Sequence, residues 1–69
     1  MKIVVDLGKN TNVKLQVMDS NGKTVEIMEN NFLNQGSYLY KFKNDLKSGV
    51  YFINFQESDI IKTIKVVIK

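Results

Sequence analysis

Val13-Lys14-Leu15-Gln16-Val17-Met18-Asp19-Ser20-Asn21-Gly22-Lys23-Thr24-Val25-Glu26-Ile27-Met28 reads as a β-hairpin, and the rest of the chain organises outward from it. Val13, Leu15 and Val17 alternate with Lys14 and Gln16, the period-2 mark of a strand with one buried face. Asn and Gly tolerate positive φ, and an Asp side chain can accept from the backbone two residues on, so Asp19-Ser20-Asn21-Gly22 predicts a tight turn. The return strand, Thr24 to Met28, sets Val25 and Ile27 on the side opposite Thr24 and Glu26.

On the N-terminal side, a strand over Lys2 to Leu7 ends at Gly8-Lys9-Asn10-Thr11-Asn12. On the C-terminal side, a polar stretch around Asn30-Asn31 leads to Gly36, which releases a strand over Ser37 to Lys43. Asn44-Asp45-Leu46-Lys47-Ser48-Gly49 predicts the next turn. Val50 to Gln56 follows, nearly continuous in apolar and aromatic residues, as expected of a central strand. Glu57-Ser58-Asp59 then turns the chain into Ile60 to Lys69, where Ile60, Ile64, Val66 and Ile68 share a face. No helical period survives anywhere. Short strands about every 8 to 12 residues predict an all-β fold, a two-sheet sandwich or Greek key.

With 69 residues, 43% of them hydrophobic, there is material for one core only, because ordering costs about 1.5 kcal/mol per residue against about 25 cal/mol per Å² of apolar burial. Cysteine and histidine are both absent, which removes disulfides, His/Cys metal sites, Cys nucleophiles and His-assisted catalysis. Asp6, Asp19, Glu26, Glu29, Asp45, Glu57 and Asp59 fall mostly in or beside predicted turns, where acidic side chains are commonly solvated. Asp19 to Gly22 lacks the spacing of a calcium loop. The expectation is a protein that is bound, not an enzyme, with no cofactor.

A net charge of +3 comes from ten lysines spread along the chain, with no arginine. Nucleic-acid binding is therefore not expected. No window reaches the roughly 20 apolar residues of a membrane span, and Asp6 interrupts the first apolar run too soon for a signal peptide. If the protein is exported, the signal lies elsewhere or is the fold itself. Tyr38, Tyr40 and Phe42 share one face, which suits either a stacking platform for sugars or a core, the core being the commoner use.

Three features occur in order: the hairpin Val13 to Val25, then Gly36-Ser37-Tyr38, then Leu46-Lys47-Ser48-Gly49-Val50-Tyr51-Phe52. A lysine-bearing strand, Lys62-Thr63-Ile64-Lys65-Val66-Val67-Ile68-Lys69, follows. Over about residues 3 to 69 the chain resembles the type A C-terminal sorting domain, or Por secretion tail, of cargo of the bacterial type IX secretion system. It has no proline and so departs from the family's usual Pro-Asn-Pro-like segment before the first strand, as expected of a chain trimmed at its N-terminus or a divergent member.

The resemblance implies an immunoglobulin-like antiparallel β-sandwich of six to seven strands, attached behind a larger secreted protein. It also implies delivery through the periplasm and outer membrane to the cell surface or beyond, with the type IX machinery and a sortase-like peptidase as partners. Carried over by position, its candidate recognition residues are Gly22, Gly36, Leu46, Gly49, Tyr51 and Lys65. The glycines also serve as turn formers, Leu46 and Tyr51 as packing residues, and Lys65 either as a contact or as an edge-strand guard against aggregation. A structural immunoglobulin-like spacer and a carbohydrate-binding module are the alternative readings.

Overall fold

The structure, a computed structural model, describes residues 2–42 and 46–69. Six strands follow one another: β1 (Lys2–Leu7), β2 (Thr11–Asp19), β3 (Thr24–Leu33), β4 (Gly36–Lys41), β5 (Gly49–Glu57) and β6 (Ile60–Ile68). They form two antiparallel sheets, β1-β4 and β3-β2-β5-β6. The sheets pack face to face as a small β-sandwich, and among the described residues there is no helix. β5 lies between β2 and β6, the central place its apolar run predicts.

The hairpin forms as its residues require. Asp19 accepts through Oδ1 from the backbone N–H groups of Asn21 and Lys23, at 2.9 and 3.0 Å. Its own backbone closes the loop, with Asp19 N–H donating to the Lys23 carbonyl and Gly22 N–H to the Asp19 carbonyl. Gly22 sits at φ 85°. The carboxylate is thus spent on the turn.

β3 corrects the sequence reading in two ways. It continues past Met28 to Leu33, so Asn30 and Asn31, expected in a connection, pair with Lys14 and Val13. An edge strand has one flank in water, and asparagine is tolerated there. Its alternation is also broken: Thr24 and Glu26, expected on one side, lie on different faces, Thr24 with Ile27 on the outer face and Glu26, 8% exposed, on the inner one, while Val25 and Ile27 are 41% and 52% exposed. The cause is a pair of bulges. Opposite Leu15/Gln16 and Val17/Met18 the register slips, so Met28 and Val25 are extra residues in β3 and Glu26 is left facing Val17.

The core is built from Val5 and Leu7 of β1, Val13, Leu15 and Val17 of β2, and Ile53 of β5. Tyr38, Tyr40 and Phe42 are half-buried and pack against it. That removes the exposed platform a carbohydrate-binding module would need. Phe42 lies just past β4, and the expected continuation to Lys43 and turn at Asn44-Asp45 fall outside the described residues.

Replacing Asp19 by Ala removes the acceptor for two backbone donors and should cost about 1 kcal/mol. In thermal unfolding this corresponds to a fall in Tm of about 4–8 °C for a domain of this size.

Candidate functional site

The strand register separates the candidate residues into two groups. Asp19 of β2 stands opposite Tyr51, and Tyr51 opposite Val66, so the Gly22 turn, Gly49, Tyr51 and Lys65 gather at one end of the four-stranded sheet. Gly36 pairs with Leu7 and follows Leu33, which stands opposite Thr11, and so it belongs to the other end. Leu46 is half-buried against the core.

Gly36 and Gly49 do the same job twice. Each opens a strand, at φ 153° and 156°, and each is followed two residues later by a tyrosine that reaches back over it. The Tyr38 hydroxyl donates to the Asn34 carbonyl at 2.6 Å and the Tyr51 hydroxyl to the Lys47 carbonyl at 2.7 Å. A β-carbon on Gly36 or Gly49 would stand 3.9 or 3.8 Å from the tyrosine ring, which is ordinary contact. The obstacle to a side chain is therefore the backbone angle. These devices resemble the tyrosine corner of other β-sandwiches, in which a phenol ties a strand to the backbone just upstream.

Tyr40, two residues after Tyr38 on β4, reaches the other sheet. Its hydroxyl donates to Glu29 Oε1 of β3 at 2.7 Å, while Asn31 Nδ2 donates to Glu29 Oε2 at 3.0 Å. These bonds, that from Tyr40 foremost, hold the Glu29 carboxyl below the usual carboxylate range. Burial first, and then the Glu29 carboxylate, raise the Tyr40 phenol above its ordinary value. This pair clasps β4 to β3.

Lys65 stands apart from the core. It is exposed and opposite Phe52, which is opposite Met18, so all three lie on the face of the four-stranded sheet that β1 and β4 do not cover. Val50 and Val67 form the next same-face pair. Val67 is 55% exposed, whereas Val50, Phe52 and Met18 are half-buried by their in-plane neighbours. Lys65 therefore borders an apolar strip that no second layer protects. Sequence reasoning singled out Lys65 but missed the strip. Its signal was present in the unbroken run Val50-Tyr51-Phe52-Ile53, which is apolar on both faces although only one face has a sheet above it.

A comparison with protein-family models matches residues 1–69 to the secretion system C-terminal sorting domain. The chain belongs to that family. Such domains are the C-terminal sorting signals of type IX secretion, so this sorting domain interacts with the type IX machinery, accompanies an upstream cargo, and directs export to the cell surface or the extracellular space. The family is one of sorting signals, not of known catalysts. No curated protein and no solved structure matches the chain.

Two consequences can be measured. Gly49→Ala forces a side chain into a glycine conformation and should destabilise the sorting domain by about 1–3 kcal/mol in urea unfolding. Tyr40→Phe removes the donor that favours ionised Glu29, at a cost of about 1 kcal/mol near neutral pH. A carboxyl whose folded pKa is depressed contributes stability above its unfolded pKa, and that contribution is lost as pH falls through the folded value. The difference between wild type and Tyr40→Phe should therefore shrink as unfolding is followed from neutral into the acid range.

Proposed function

We propose that the type IX machinery reads this domain at the β6 end of its four-stranded sheet, with Lys65 as the charged contact and the strip of Phe52, Val50 and Val67 as the apolar one. The observation that carries this reading is the exposed lysine beside apolar residues on a face without a covering layer. Paired apolar and cationic groups on a rigid sheet present a folded surface that can be recognised without a linear signal, and a free edge strand beside them offers backbone groups for strand addition.

On this reading Gly22, Leu46, Gly49 and Tyr51 contribute by shaping the end of the sandwich that carries Lys65, while Gly36 secures the opposite end. The domain is the C-terminal part of a larger secreted protein. It follows its cargo into the periplasm, passes the outer membrane with it, and is removed there by a sortase-like peptidase. The resemblance in the Leu46 to Phe52 segment and in the closing lysine strand supports these steps.

The test is a periplasmic reporter carrying this domain at its C-terminus, expressed in a bacterium with a working type IX system. The wild-type fusion and Lys65→Arg should reach the medium or cell surface. Lys65→Glu, with an unchanged melting temperature, should stay in the periplasm. Secretion of folded Lys65→Glu at the wild-type level would remove Lys65 from the recognition surface.

A further inference from the structure

We propose that β6 pairs with β6 of a second copy of this chain, antiparallel about Ile64, joining two four-stranded sheets edge to edge. This goes beyond the sorting role and needs no component of the export machinery.

The two edges of the four-stranded sheet are unlike. The β3 edge is interrupted by two bulges and carries Glu26 and Glu29, features that commonly discourage strand addition. β6 pairs with β5 through all nine of its residues without a register shift, and among the described residues no strand lies on its other flank. Ile60, Ile61, Ile64 and Val67 are 47%, 61%, 59% and 55% exposed. A straight edge with this much exposed apolar surface is a template for another strand.

The sequence of β6 selects which strand. A two-fold axis normal to the sheet keeps inner faces beside inner faces, and with the axis at Ile64 all nine residues of Ile60–Ile68 find a partner. On the inner face Ile60 then stands opposite Ile68 of the second copy, Lys62 opposite Val66, and Ile64 opposite its own twin. On the outer face Ile61 meets Val67, and Thr63 meets Lys65. No lysine faces a lysine. An axis at Lys62 or Lys65 would oppose like charges at its centre, which is destabilising, and an axis at Thr63 or Val66 would leave strand ends unpaired. The lysines that guard this edge against other registers thus leave the full-length one open.

The inner face supplies a second reason. Ile64, with Ile53, Phe55 and Lys62, borders an open groove of about 230 Å³ beneath Ile3 and Val5 of β1. The groove exists because the two-stranded sheet does not extend over β6. Pairing about Ile64 buries that residue against its twin at the open flank of the groove.

Light scattering on the isolated chain should give twice the 7.9 kDa monomer mass at high concentration, falling to the monomer value on dilution. Ile64→Lys places two lysines at the axis and should be monomeric throughout while keeping its β-sheet circular dichroism. The absence of native cysteine permits a positional test that does not depend on that variant's folding. Ile64→Cys and Ile61→Cys expose their thiols to a similar degree, but across the proposed axis two copies of residue 61 stand about 20 Å apart. Under mild oxidation Ile64→Cys should form a disulfide-linked dimer and Ile61→Cys should remain largely monomeric. A wild-type chain of monomer mass at every concentration, or equal cross-linking at the two positions, would overturn the proposal.

Discussion

Val13, Leu15 and Val17 are 2%, 1% and 0% exposed, and keeping that one face of β2 dry is the constraint on which the rest of the sandwich depends. Transfer of such side chains from water is worth about 1.5–3 kcal/mol each, a large share of the margin available to a domain this small. β3 and β5 flank β2 in the plane, while β1 brings Val5 and Leu7 down on it from the second sheet. With no cysteine in the chain, no disulfide supplements this burial.

Because the covering sheet has two strands among the described residues, protection is strongest over β2 and weakest over β6. The connections that frame the cover are tied individually. Tyr38 and Tyr51 bind backbone carbonyls four residues upstream, and Tyr40 reaches Glu29 across the sandwich. At the same end as Tyr38, Ser58 adopts φ 54°, a conformation unusual for serine, and is held there by a 2.7 Å hydrogen bond between its hydroxyl and that of Thr11 and by its N–H donating to the Asn12 carbonyl. The two ends are secured, and β6 exposes Ile60, Ile61, Ile64 and Val67, while Val25, Ile27 and Phe32 are exposed on β3 at the other edge.

That distribution suits a domain whose role is to be recognised. An enzyme needs a concave site with converging polar groups, whereas a sorting signal needs a stable outline and an accessible surface. Here the surface combines an edge strand, Lys65, and an apolar strip on the face that β1 and β4 do not cover. The same features bear on self-association, because an edge that an export machine can grip is also one that a second copy can grip.

The strand content was legible in the sequence because it rests on local rules. The hairpin Val13 to Met28 follows from period-2 alternation around Asp19-Ser20-Asn21-Gly22, the central place of β5 from its apolar run, and the family from the ordered segments ending in Gly49-Val50-Tyr51. The broken alternation of β3 was not legible, since bulges opposite Leu15 and Val17 depend on how twisted neighbours fit and leave no periodic trace. Nor could alternation alone show that Tyr38, Tyr40 and Phe42 face the core. The sequence by itself determined the number and order of the strands, that catalysis by His or Cys is impossible, and that Lys65 sits in an apolar terminal strand. Only the tertiary structure decided which faces are covered, because coverage depends on pairing between residues distant along the chain: among the described residues β4 pairs with β1 and β6 with β5 alone, which leaves Val67 and Ile64 exposed and Phe52 half-buried.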